Sequence, residues 1–129
     1  MSTAPFELRE IYPVFTVRDL AEAIDYYRDK LGFTALWSWG KPPIRAGVRS
    51  GAVEIQLVCD PSVAPAGPSV VYCHMTGVEE YYRACIERGA LIQYGLVERP
   101  WGMRDFRVLD PSGNRLGFGE LSATPPRSS

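Results

Sequence analysis

The chain contains two copies of one sequence pattern, and this repeat constrains its fold more than any single residue does. Residues 17–33 and 78–91 each read as a strand end, an acidic turn and a helix that carries a Tyr-Tyr-Arg triplet and ends at a glycine. The triplet at 26–28 corresponds to the triplet at 81–83. A repeat of this kind predicts two similar half-domains, and such halves usually build one cleft between them.

The hydrophobic period predicts the same order of elements, βαβββ, in each copy. We expect strands at 11–17, 33–40, 44–49, 53–58, 69–75, 91–96, 103–109 and 115–121, with helices after Asp19 and over 78–88. In each Tyr-Tyr-Arg triplet we expect one tyrosine to be buried on its sheet and the arginine to lie at the surface. The pattern predicts an α+β fold of two modules.

The proline distribution divides the 129-residue chain into consecutive parts. Three prolines and no hydrophobic period mark residues 60–68 as the linker between the modules. The predicted organisation is an N-terminal arm (1–10), a first module (11–59), this linker, a second module (69–121) and a flexible tail (122–129).

Composition and charge favour a cytoplasmic protein that contacts neither nucleic acid nor membrane. A net charge of −1 gives no electrostatic reason to expect nucleic acid. No apolar run is long enough to cross a bilayer, and the N-terminus lacks the basic and apolar parts of a secretory signal. Three cysteines are an odd set, which favours reduced thiols, and Cys73 and Cys85 lie on apolar faces as small hydrophobic residues.

Four segments resemble the vicinal oxygen chelate superfamily, which includes glyoxalase I, extradiol dioxygenases and the fosfomycin and bleomycin resistance proteins. They are P-V-F-T-V-R-D-L at 13–20, Y-Y-R-D-K-L-G-F at 26–33, G-V-R-S-G at 47–51, and P-W-G-M-R-D-F…D-P-S-G-N at 100–114. In this family two βαβββ units curl into a cup-shaped mixed sheet, and members usually dimerise. The resemblance implies that fold and a homodimer.

The family's enzymes hold a divalent metal through His, Glu or Gln on the first and last strands of the modules. The resemblance places those positions on Tyr12, Gln56, Val70 and Gly117, while Glu120 has the wrong parity to replace Gly117. Valine and glycine have no donor atom, and one glutamine cannot hold a cation that needs three or more protein ligands. The resemblance therefore implies no metal and no other cofactor. It points to the branch of bleomycin resistance proteins, which bind a drug without reacting, although the near-neutral charge argues against bleomycin itself.

Strand alternation predicts which side chains face the helices and which face the cup. The helix-facing set comprises Phe15, Val17, Val53, Ile55, Leu57, Val71, Cys73, Met75, Leu116 and Phe118. The opposite face, with the tryptophans of the second strand and of the 97–102 loop, supplies the candidate ligand-binding residues. These candidates are Tyr12, Trp37, Trp39, Glu54, Gln56, Tyr72, His74, Trp101 and Arg115.

Several candidates have a structural interpretation as well. Trp37 and Trp39 share a face and could line a pocket, an interface or the core. His74, the single histidine, could act as a general base or serve only structurally, and Glu54 and Arg115 could bind charged groups or face solvent.

These candidates allow three functions. The favoured hypothesis is a binding protein, homodimeric and free of metal, that sequesters an aromatic or peptide-like antibiotic. The alternatives are a metal-dependent lyase, isomerase or dioxygenase of the same superfamily, and a metal-free catalyst that uses His74 or Glu54 as its base.

Overall fold

The computed structural model describes residues 5–122. The parts of the predicted arm and tail at 1–4 and 123–129 lie outside the described residues. The elements of the first half are β1 (Val14–Thr16), α1 (Leu20–Asp29), β2 (Thr34–Trp39), β3 (Arg45–Ser50) and β4 (Val53–Val58). Those of the second half are β5 (Val70–His74), α2 (Val78–Arg88), β6 (Leu91–Glu98), β7 (Met103–Leu109) and β8 (Arg115–Leu121).

Each half forms a four-stranded mixed sheet, which confirms the predicted α+β fold of two βαβββ modules. The strand orders are β1-β4-β3-β2 and β5-β8-β7-β6. In both sheets the first strand runs parallel to the last, and the other neighbours are antiparallel. A register shift also recurs, between Ala35 and Trp37 in β2 and between Ile92 and Tyr94 in β6. The repeat in the sequence is therefore a repeat in backbone geometry.

The first strand is shorter than predicted, and Pro13 provides the reason. The carbonyl of Pro13 accepts a hydrogen bond from the Gln56 N–H (3.0 Å), but proline has no N–H to return one. Regular pairing begins only at Val14, and Ile11 is left 92% exposed. The prediction of a strand over 11–13 was wrong.

The core lies on the helix-facing sides of both sheets. The predicted helix-facing residues are buried in, or packed against, one continuous apolar cluster that includes both modules. No helix within residues 5–122 is long and apolar enough to span a membrane.

The Tyr-Tyr-Arg triplets connect the two halves. The Tyr27 hydroxyl donates to the Asp110 carboxylate of the second half (2.9 Å), and the Tyr81 hydroxyl donates to the Leu31 carbonyl of the first (2.6 Å). The arginines of both triplets are exposed, as predicted. The expectation of one buried tyrosine per triplet was wrong, because Tyr26 and Tyr27 are both buried and Tyr81 and Tyr82 are both half-buried. The tyrosine hydroxyls of the two helices therefore form hydrogen bonds between the modules.

The two helices begin in different ways. Asp19 caps α1 as predicted, its carboxylate accepting from the Glu22 N–H (2.9 Å). Gly77 at the start of α2 has no side chain to do this, and Glu120 from β8 accepts from the N–H groups of Gly77 (3.0 Å) and Val78 (3.2 Å) instead. These hydrogen bonds lower the pKa of Glu120. Glu120 is engaged in a helix cap and is not available to a metal.

Candidate functional site

A cleft of about 470 Å³ lies between the two halves, lined by residues 11–13 and the start of β4 on one side and by β5 on the other. Asn114 of the second module donates its side-chain amide to the Thr16 carbonyl of the first (3.1 Å), which joins the two modules. The cleft is lined mainly by apolar and aromatic side chains. Four of the predicted ligand-binding residues line it, namely Tyr12, Glu54, Tyr72 and His74.

Tyr72 forms the aromatic wall of the cleft on the side of the second module. Its ring meets the ring of His74 edge to face, with centroids 5.5 Å apart. Its hydroxyl donates to the Asp105 carboxylate (2.9 Å). Desolvation and this carboxylate raise the pKa of Tyr72 to about 12, so the hydroxyl remains a donor at neutral pH. Within residues 5–122 no carboxylate hydrogen-bonds His74, so nothing there orients it as a general base.

Two glycines make room for the Tyr72 ring. A Cβ atom on Gly117 would lie 2.9 Å from the ring, and one on Gly119 would collide with the phenol oxygen. The first module has a similar arrangement, because a Cβ on Gly47 would collide with the Trp37 indole. In each module a large aromatic side chain lies against the backbone of a neighbouring strand, where a glycine has no side chain to block it.

On the first-module side of the cleft, the Glu54 carboxylate is ion-paired within the chain. The Glu54 side chain is only 10% exposed and pairs with Arg49 at 3.1 Å, whereas a solvated glutamate was the structural alternative. Tyr12 hydrogen-bonds Glu10, and this contact raises its pKa. The Glu54 charge is thus already neutralised within the chain.

The other five predicted residues lie outside the lining of the cleft. Trp37 and Trp39 remain 39% and 65% exposed, which excludes the core interpretation for both. Gln56 is half-buried in the middle of its sheet, and Arg115 is half-buried in register with Val70. Trp101 is exposed on its loop, close to Arg99.

Corresponding positions in the two sheets form a row across each open face, the face turned away from the helix. In the first sheet the row is Val14, Gln56, Gly47 and Trp37. In the second it is Tyr72, Gly117, Arg107 and Tyr94. Each row ends beside the recurring register shift, so the two rows are equivalent in the repeat.

A stack of alternating rings and guanidinium groups continues from the cleft over the second sheet. The Arg99 guanidinium lies over the rings of Tyr94 (4.9 Å) and Trp101 (5.6 Å). The Arg107 guanidinium also lies over the Tyr94 ring (5.3 Å). The Arg99 Nε also donates to Asp105 (3.0 Å), and this hydrogen bond raises the Arg99 pKa. We call Trp101, Arg99, Tyr94 and Arg107 the ring–guanidinium stack.

Trp101 was predicted from the sequence, whereas the other members of the stack were not. Alternation along β7 was a usable signal, since Asp105 and Arg107 alternate with the buried Phe106 and Val108. Tyr94 was harder to assign, because register shifts lie on both sides of it in β6.

The comparison with known families matches residues 11–118 to the Glyoxalase/Bleomycin resistance protein/Dioxygenase superfamily. The chain belongs to this superfamily. Among solved structures, TioX from Micromonospora sp. ML1 is similar, with a TM-score of 0.76 and 21% identity over 88% of this chain and 98% of that one. A superfamily protein from Nocardioides has a TM-score of 0.73 and 18% identity over 98% and 92%.

A virulence protein from Salmonella typhimurium is also similar, with a TM-score of 0.69 and 22% identity over 90% of this chain and 98% of that one. At these identities the solved structures establish the glyoxalase/bleomycin resistance fold alone. No sequence relative was found among curated proteins.

The side chains at the superfamily's metal-binding positions do not fit a divalent metal. The Tyr72 ring occupies the space beside Gly117 into which a carboxylate would project, and Val70 has no donor atom. Within residues 5–122 no three side chains of His, Cys, Asp or Glu are grouped so that they could hold a metal ion. Tyr12 and Gln56 alone are too few ligands for such a cation.

Proposed function

We propose that the protein is a metal-free binding protein that sequesters an antibiotic-like aromatic or peptide-like small molecule. The observation that carries the proposal is the Tyr72 ring over Gly117 and Gly119. It puts an aromatic wall where superfamily enzymes present a metal ligand. A cleft of about 470 Å³ with mainly apolar walls and few polar groups is typical of small-molecule sites.

The proposed mechanism is stoichiometric. Tyr72 and His74 supply ring contacts, and the ion-paired Glu54 adds a polar edge without an unpaired negative charge. Bound drug is withdrawn from its target in the cytoplasm, where we propose the protein acts. Protection of a cell then needs a sub-micromolar Kd, which corresponds to roughly −8 kcal/mol or better.

Isothermal titration against a panel of DNA-directed and peptide antibiotics tests this proposal. We expect at least one compound to bind with a sub-micromolar Kd and one site per chain, and to be recovered unchanged. Metal analysis of the same preparation is the matched control, because the metal-dependent alternative requires stoichiometric Ni, Zn, Fe or Mn. Binding of no compound on the panel, or a stoichiometric metal that chelation removes together with an activity, would contradict the proposal.

We further propose that the protein is a homodimer whose interface includes β2. All six residues of β2 are exposed, and they include the large apolar side chains of Leu36, Trp37 and Trp39. The strand carries no charged residue, although charges are a usual protection of an exposed sheet edge. Exposed apolar surface of this extent favours a second copy of the chain as its cover.

Light scattering coupled to size-exclusion chromatography tests the dimer. We expect the wild type to elute as a dimer and Trp39→Lys to shift it to the monomer, because a lysine on this strand would be desolvated in the interface. Val63→Lys, at an exposed apolar position in the linker, is the matched control and should remain dimeric. A monomeric wild type at high concentration, or an unaltered dimer of Trp39→Lys, would contradict this interface.

A further inference from the structure

One guanidinium on the open face of the second sheet lacks a charged partner. Arg107 lies in the row between Gly117 and Tyr94, and Tyr94 supports its guanidinium from one side. Within residues 5–122 Arg107 forms no ion pair, and its Nε is shielded from solvent without a hydrogen-bond acceptor. Arg107 is therefore a fixed, partly desolvated cation whose capacity to bind an anion is unused.

The nearby carboxylates are already engaged. Asp105, on the same face of β7, accepts from Arg99 (3.0 Å) and from Tyr72 (2.9 Å). Glu54, across the cleft, is paired with Arg49 (3.1 Å). These carboxylates therefore do not neutralise the half-buried Arg107, and its charge is open to an anionic group from outside these pairs.

The scaffold does not require an arginine at this position. The equivalent residue of the first module is Gly47, which occupies the same place in its row beside the same register shift. A module of this fold thus forms with no side chain here at all. The fold therefore does not require an arginine at position 107, and the reason for it lies in the surroundings of this residue.

We propose that Arg107 binds the acidic group of the ligand, and that the ligand is a planar aromatic molecule carrying a carboxylate. The carboxylate meets the terminal amino groups of Arg107, and the aromatic part lies along Tyr72 toward the cleft. A guanidinium held against a ring offers two parallel N–H donors, which match the two oxygens of a carboxylate. The inference rests on the proposed function, because it specifies the ligand class of the same site.

A matched pair of probes tests the proposal, 2-naphthoate and its neutral analogue 2-naphthamide, titrated against the full chain. The naphthoate should bind about tenfold or more tightly than the amide, with an affinity that falls as salt is raised. Arg107→Gln should remove this advantage and leave the amide's affinity nearly unchanged. Arg107→Lys should retain only part of this advantage, because lysine keeps the positive charge but lacks the two parallel N–H donors of a guanidinium. Arg83→Gln is the control, since it removes an exposed cation on α2 that pairs with Glu79 (3.4 Å) and should not alter either affinity.

The outcomes separate this inference from the proposed function. Equal binding of both probes by the wild type, or a naphthoate advantage that survives in Arg107→Gln, overturns the role of Arg107 while a binding cleft remains. Binding of neither probe overturns the inference and counts against the proposed function as well. A naphthoate advantage lost in Arg107→Gln but retained in Arg83→Gln supports it.

Discussion

Replacing Asp110 with alanine is expected to lower the free energy of unfolding by about 3 kcal/mol or more. Asp110 is buried, and its carboxylate accepts four hydrogen bonds. One oxygen takes the Tyr27 hydroxyl and the Asn114 amide (2.9 Å each), and the other takes the main-chain N–H groups of Ser112 and Asn114 (2.9 Å each). Truncation leaves several buried donors without acceptors, and water cannot easily replace the lost oxygens.

Urea denaturation with a shared m-value measures this effect. Tyr27→Phe is the informative comparison, because it removes one of the four donors and leaves the other three in place, so a loss of about 1 kcal/mol is expected. Asp25→Ala is the control, since its carboxylate pairs with Arg28 on the exposed side of α1 and contributes little. If Asp110→Ala were no more damaging than Tyr27→Phe, the hydrogen-bonded turn would not be what holds the halves together.

The consequence extends beyond the β7–β8 turn. Asn114, which Asp110 orients, also accepts from the Ser69 N–H (2.9 Å) and donates to the Thr16 carbonyl (3.1 Å). The turn therefore joins the second half to the end of β1 and to the start of β5. The turn therefore links the two modules as well as the two strands that it connects.

The parts of the fold that the sequence predicted best are those set by local periodicity. The bounds of α2, β7 and β8 are as predicted, since apolar residues recur there at a clean helical or strand period between strong turn residues. The Asp-Pro-Ser-Gly-Asn segment was recognised as a turn. Its bond to Tyr27, 83 positions away in the chain, has no local signature.

The candidate site was only partly predictable, for two physical reasons. Glu54, Tyr72 and His74 were placed at the cleft by the alternation on β4 and β5. Tyr12 also lines the cleft, although its segment does not form the predicted strand. The ring–guanidinium stack was missed because β6 contains two register shifts, which break the alternation on both sides of Tyr94. Its contacts also depend on how long side chains lie across neighbouring strands, which periodicity does not encode.

Gly119→Ala is expected to weaken binding of 2-naphthamide about tenfold while leaving the fold intact. The new methyl group would collide with the Tyr72 hydroxyl, and because this side chain is half-exposed it can rotate outward. The cleft then loses its aromatic wall, while Asp105 keeps its bond to Arg99. Gly67→Ala is the matched control, since nothing lies within 4 Å of a Cβ atom at that position.

A double-mutant cycle identifies the cause of this loss. In a Tyr72→Ala background the collision is absent, so adding Gly119→Ala should have little further effect on Kd, and the two changes should be strongly non-additive. Tyr72→Phe separates ring from hydroxyl, because it keeps the wall and removes only the bond to Asp105. Additive effects in the cycle, or wild-type binding by Gly119→Ala, would mean that the Tyr72 ring over the glycines does not shape the site. The main support for a binding cleft in place of a metal centre would then be lost.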